Sequence, residues 1–149
     1  RIEDIIWSLK PHTLDKTTFK NRLQDYALEL LSGKDMGYTI EVDQEVNDLV
    51  KDPFLRKNIL LIIKEAINNS AKYSQASLVE IEVRSASAHL NITIKDNGVG
   101  FDSTSAGTGN GLGNMKKRCE DIRGAFVLQS TPGQGTRIEV NIPMANIRH

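Results

Sequence analysis

Two stretches of this chain alternate strictly between apolar and polar residues, and they limit the fold more than any other feature. In 78–84, Val79, Ile81 and Val83 share one parity. In 88–96, Leu90, Ile92 and Ile94 share one parity, and His89, Asn91, Thr93 and Lys95 share the other. A period of two marks a strand with one face in a core and one in water. Small residues separate the stretches, so the pair reads as a hairpin. Asp96 falls on the parity of Leu90, Ile92 and Ile94, which aims a carboxylate at the core side of the sheet. Unpaired burial there costs on the order of several kcal/mol, so donors must meet it. Gly98 and Gly100 follow in Asp96-Asn97-Gly98-Val99-Gly100, where the backbone can turn sharply and admit a ligand closely. Two readings of this segment stand level. One is a ligand pocket opening at a strand end; the other is a plain glycine turn in which Asp96 caps its own backbone.

Helices and further strands are interleaved with this hairpin. Residues 1–9 read as the end of a helix stopped by Pro11. Residues 16–32 read as an amphipathic helix with Phe19, Leu23, Tyr26, Ala27, Leu30 and Leu31 as its stripe and Gly33 as terminator. A short strand is predicted at 38–42, and Pro53 starts a helix running to about Tyr73. Residues 101–110 are polar, rich in Gly, Ser and Thr and without periodicity, as in a loop. A helix at 111–123 carries Leu112, Met115, Cys119 and Ile122 on one side and ends at Gly124. Strands at 125–130 and 135–142 flank the turn Thr131-Pro132-Gly133-Gln134-Gly135. The predicted class is α/β (α+β): a two-layer sandwich, with a mixed sheet covered on one face by helices.

Composition narrows the partners. The 149 residues suit one domain with a substantial core. Nineteen basic side chains balance 19 acidic ones, which argues against a dedicated nucleic-acid or membrane-surface binder. Cys119 is the only cysteine, so the chain has neither an internal disulfide nor a thiolate zinc site, and a cytoplasmic location fits. The longest apolar run, Ile59 to Ile63, is too short to span a bilayer, and no signal peptide is visible. The chain opens at Arg1 with Ile2, Ile5, Ile6 and Leu9 already at helical spacing. It therefore reads as a fragment of a longer protein: 1–12 as the end of a preceding linker helix, and 13–149 as the domain proper.

Three further segments carry polar groups where chemistry would use them. In the helix from Pro53, the stripe Leu55, Ile59, Ile62 and Ala66 faces the core. At about 100° per residue, Glu65, Asn69 and Lys72 line its border, next to Tyr73. An amide oxygen and a carboxylate can hold magnesium or its waters, and a lysine can meet a phosphate. The plain alternative is a solvated helix edge. The run Gly107-Thr108-Gly109-Asn110-Gly111-Leu112-Gly113-Asn114 leads straight into a helix, whose free amides and dipole favour an anion. It is neither a P-loop nor a Rossmann fingerprint, and the plain alternative is a flexible linker. Lys116, Lys117 and Arg118 just inside that helix read as a solvated face. Thr136 shares the parity of Ile138, Val140 and Ile142, so its hydroxyl points to the apolar side, as a satisfied core threonine also would. His12, His89 and His149 are scattered and form no metal site.

In order, the segments at Glu65–Tyr73, Asp96–Gly100, Gly107–Asn114 and Gly133–Thr136 resemble the N, G1, G2 and G3 boxes of the Bergerat-fold (GHKL) ATPases. That superfamily includes DNA gyrase, the MutL repair proteins, heat-shock chaperone ATPases and sensor histidine kinases. Order, spacing and fold pattern agree over roughly residues 40–143. Asn69-Ser70-Ala71-Lys72-Tyr73 is similar to the N box of the catalytic, ATP-binding domain of sensor histidine kinases from two-component systems. The entry segment Asp4–Pro11 is similar to the stretch that joins the dimerisation helices to this domain in some kinases.

The resemblance implies ATP and magnesium (Mg2+) as ligands. It implies that Asn69 binds magnesium through its amide oxygen and that Asp96 accepts the adenine amino group. Gly98 and Gly100 give the purine room, and Thr136 supports it. Lys72, with Tyr73 beside it, and the backbone around Gly109, Gly111, Leu112, Gly113 and Asn114 hold phosphates. Glu65 orders magnesium or polarises the acceptor histidine. The implied partners are a histidine-bearing dimerisation domain of the same protein and a response regulator. The implied full-length protein is a homodimer and the fragment a monomer. Two departures stand out: the phenylalanine-containing F box is missing, leaving Phe101 as the only aromatic of a short lid, and no phosphoacceptor helix is in these residues. The rivals are an anti-sigma-type serine kinase of the same superfamily and a non-catalytic nucleotide-binding module.

Overall fold

The alternating segments fold as a hairpin. In the computed structural model, which describes residues 19–34, 36–71, 77–86, 88–99 and 110–143 (of 110–112 the backbone alone), β2 (Leu78–Ala86) pairs antiparallel with β3 (His89–Asp96). The register runs from Val79↔Asp96 to Ala86↔His89. Around them the chain places α1 (Phe19–Leu31), β1 (Gly37–Val42), α2 (Val46–Leu49), α3 (Pro53–Asn69), α4 (Asn110–Asp121), β4 (Ala125–Ser130) and β5 (Thr136–Pro143). The five strands form one sheet in the order β1-β2-β3-β5-β4. Only the β1–β2 pair is parallel, so the sheet is mixed, as expected.

One face of the sheet is buried by helices. Val79, Ile81, Val83, Leu90, Ile92, Ile94, Val140 and Ile142 lie on it, under Phe19 and Leu23 of α1, Ile59 and Ile63 of α3, and Met115 and Cys119 of α4. Polar side chains cover the opposite face. There Arg84 joins β2 to β1 through Glu41 at 2.9 Å and Asp43 at 3.3 Å, and the Asp43 bond raises the Arg84 pKa. Asp52 caps α3 by accepting from Leu55 N at 2.8 Å, with Pro53 in the first turn as its fixed φ suits. The stripe Leu55, Ile59, Ile62 and Ala66 is buried, but so are Leu60, Ile63 and Ile67, because α3 lies between α1 and α4 as well as on the sheet. No helix among the described residues is long and apolar enough to cross a membrane. The segment expected as a linker helix, 1–12, lies outside the described residues.

Two local details differ from expectation. The short helix α2 has too few residues to show a period. It is fixed instead by buried Val46 and Val50, and Asn47 Oδ1 accepts from Phe19 N at 2.9 Å to start α1. At the end of α4 the left-handed cap is Arg123, at φ 60°, not Gly124. Arg123 N donates to Glu120 O and Gly124 N to Cys119 O, both at 2.9 Å, the double bond of a Schellman end. Gly124 serves packing: a Cβ there would lie 2.9 Å from Cys119 Sγ and 3.1 Å from Ile142 Cγ1. Burial pushes that thiol up to about 11, so it packs as a small neutral group. Arg123→Gly removes the steric penalty of a left-handed side chain. It is expected to stabilise the fold by about 0.5–1 kcal/mol, read as a melting temperature higher by about 1–4 °C.

Candidate nucleotide site

The inward carboxylate finds two donors. Asp96 is buried at the end of β3; Gly98 N donates to Oδ1 at 2.9 Å and Ser70 Oγ donates to Oδ2 at 2.8 Å. The first bond is the backbone cap that a plain glycine turn would make. The second comes from a separate element, so Asp96 also ties the sheet to the end of α3. Ser70 was not among the residues singled out from sequence, although it sits four residues past Ala66 and so prolongs the core-facing stripe of α3. Its N–H donates to both Ala66 O and Ile67 O, and the chain widens into a π-type turn at 70–71. Regular α-helix therefore ends at Asn69, while Tyr73, the expected end of the helix, lies outside the described residues. Such widened turns frequently mark functional sites.

Asn97, also passed over as a side chain, fixes the entry to β2. Its Oδ1 accepts from Ser77 N at 2.9 Å and Leu78 N at 3.0 Å, while Nδ2 donates to Ser77 Oγ at 2.9 Å. Two consecutive residues, Asp96 and Asn97, thus bind Ser70 and Ser77 on either side of residues 72–76.

The other wall is the turn between β4 and β5. Thr136 stands opposite Asp96 in the β3–β5 register and opposite Ser130 in the β4–β5 register. The Ser130 and Thr136 hydroxyls are 2.8 Å apart, and Ser130 Oγ donates to Gly135 O at 3.2 Å. Gly135 has φ +82°, and a Cβ on it would collide with the Asp96 carbonyl oxygen, so the turn lies flush on the end of β3. Gly133 N donates to Val99 O at 2.6 Å and holds the same junction. Asp96, Leu128, Ser130, Thr131, Gly135 and Thr136 border a cleft of about 470 Å³. That volume lies in the range of small-molecule sites.

Glu65 and Asn69 are half-buried on α3, one helical turn apart, which is the edge expected of them. No group of three His, Cys, Asp or Glu side chains gathers as a metal cage among the described residues. Gly98 is half-buried beside Asp96. Gly111 and Leu112 fall in the first turn of α4, where backbone N–H groups lack helical partners; Gly113 and Asn114 follow them and are exposed. Lys72, Tyr73, Gly100 and Gly109 lie outside the described residues, as do His12 and His149, while His89 is exposed on β3.

Known proteins resemble this chain in sequence and in fold. Residues 55–146 match the family described as histidine kinase-, DNA gyrase B-, and HSP90-like ATPase. The chain is 30% identical over 142 residues to the sensor histidine kinase LiaS of Bacillus subtilis (strain 168), covering 94% of this chain and 38% of LiaS. It is 36% identical over 84 residues to the signal transduction histidine-protein kinase/phosphatase DegS of Brevibacillus brevis, covering 56% of this chain and 22% of DegS. The chain thus spans well under half the length of these relatives. In fold it is similar to the histidine kinase domain of the Erythrobacter litoralis EL346 blue-light activated histidine kinase, with a TM-score of 0.75 at 13% identity over 98% of this chain and 76% of that one. With a matching stretch that covers most of the chain, this chain belongs to the histidine kinase-, DNA gyrase B- and HSP90-like ATPase family.

Proposed function

We propose that this chain is the ATP-binding catalytic domain of a sensor histidine kinase, and that it presents the γ-phosphoryl group of ATP to a histidine on a dimerisation domain of the same protein. The observation that carries this reading is Asp96. It is a buried carboxylate at a strand end, gripped through one lone pair of each oxygen by Gly98 N and Ser70 Oγ. Roughly two of its four lone-pair positions are left for a ligand donor. The exocyclic amine of adenine is such a donor, and the cleft beside Thr136 and Ser130 gives a purine an apolar neighbour in Leu128 and hydroxyls to bond.

The remaining roles follow from chemistry. Gly98 and Gly100 leave space over the base. Lys72, with Tyr73 next to it, and the first amides of α4, at Gly111, Leu112, Gly113 and Asn114, are assigned to the phosphates, with Gly109 at the approach. Asn69, with Glu65 one turn before it, is assigned to magnesium. Magnesium, when bound, would neutralise phosphate charge. The chain's own contribution to phosphoryl transfer is positioning and electrostatic complementarity. The parent is assigned a homodimeric state, a response regulator as the next phosphoryl acceptor and a cytoplasmic site of action.

Transfer is tested by mixing the chain with a histidine-bearing helix pair of a sensor kinase and ATP labelled at the γ-position. Label on histidine is expected; label on a serine instead would sink this reading. Asn69→Ala is expected to remove the magnesium-dependent part of ATP affinity, about tenfold or more. Calorimetric titrations with and without magnesium should then give the same affinity in the variant.

A further inference from the structure

We infer that Ser70 is a positioning residue that sets base specificity at Asp96. The inference rests on the reading of Asp96 as the base acceptor and concerns a side chain that this reading leaves without a role. Ser70 and Asp96 are each only 6% exposed, so a mismatched polar group meeting them is not rescued by bulk water. The Ser70 proton is committed to Asp96 Oδ2 at 2.8 Å, and the Gly98 proton to Oδ1 at 2.9 Å. With both oxygens held, the carboxylate plane cannot turn, and its remaining lone pairs point in fixed directions. The Ser70 hydroxyl, having given its one proton to Asp96, has none to donate to a ligand. The edge that meets the base is therefore made of Asp96 acceptors, with no donor beside them from Ser70. A 6-amino purine brings a donor to that edge, whereas a 6-oxo purine brings another acceptor and leaves buried polar groups unpaired.

Without the hydroxyl, Oδ2 loses its bond to Ser70 and the carboxylate is held by Gly98 N alone. A water can take the vacated place, and water carries donors as well as acceptors. It can bridge Asp96 to an oxo group, so discrimination falls even where affinity for the amino purine falls little.

The test is calorimetric titration of the chain with ATP and with ITP in excess magnesium, for wild type, Ser70→Ala, Ser70→Thr and Ser70→Val. Threonine and valine have the same shape and differ in the hydroxyl, so a role in packing alone moves them together. The expected result is an ATP-over-ITP preference lowered about tenfold in Ser70→Ala and Ser70→Val and kept within about twofold in Ser70→Thr. A preference unchanged in Ser70→Ala and Ser70→Val overturns the role of Ser70 and leaves Asp96 standing as base acceptor. The same holds if Ser70→Thr and Ser70→Val shift equally. A wild type that binds ATP and ITP alike, or binds neither, overturns the Asp96 reading itself and the inference with it.

Discussion

Asp96→Asn is expected to weaken ATP binding by about thirty- to a thousandfold, roughly 2–4 kcal/mol, while the protein stays folded. The two effects separate because of where the carboxylate's partners come from. Asparagine keeps one oxygen, which can go on accepting from Gly98 N, as it does in any Asx turn. The amide NH2 then faces Ser70, whose hydroxyl can reverse and accept the bond it now donates. The local network closes again, and the melting temperature should move by no more than a few degrees. The cleft, however, now meets the base amine with a donor in place of a lone pair. Calorimetry beside thermal unfolding reads both quantities. A folded variant with unchanged ATP affinity would remove Asp96 from base recognition.

Gly135→Ala is expected to be the most damaging single methyl at this site. Two penalties fall together. The residue sits at φ +82°, where a side chain is strained, and the new Cβ would collide with the carbonyl oxygen of Asp96. Together they are expected to destabilise the fold by about 2–4 kcal/mol, a melting temperature lower by roughly 4–16 °C. ATP affinity should fall as well, since relief of the clash moves either the end of β3 or the turn bearing Thr136. Gly133→Ala supplies the comparison. Gly133 has the same φ of +82° but open space around its Cβ position, so it should show the conformational penalty alone, about 1 kcal/mol. Equal losses in the two variants would mean that the turn is not seated on β3 as described.

Much of this site could be read in the sequence because its signals were periodic. The parity of Asp96 in 88–96 predicted an inward carboxylate, and the parity of Thr136 placed a hydroxyl on the same side. The border position of Glu65 and Asn69 followed from helical spacing, and both are half-buried as expected. What escaped was what depends on contacts far apart in the chain. Ser70 lies on the buried stripe of α3, but only the packing of α3 against the end of β3 pairs it with a residue 26 positions away. Asn97 looks like an ordinary turn residue until Ser77, 20 positions earlier, is brought beside it. Arg123 takes the left-handed cap because Gly124 is needed where Cys119 and Ile142 leave no room for a Cβ, a demand of tertiary packing that overrides local preference.

Asp96 and Asn97, the dipeptide that closes on Ser70 and Ser77, have a thermodynamic consequence. A chain fastened at two places, Ser70 and Ser77, to adjacent residues loses the freedom of those two ends relative to each other when the sheet forms, before any ligand arrives. The entropy of holding Ser70 and Ser77 in place is thereby charged to folding and kept out of the binding equilibrium. Two ends on one dipeptide can also be released separately. A change at Asn97 would free Ser77 and leave Ser70 bonded to Asp96, so that the entry to β2 loosens while the buried carboxylate keeps its partner.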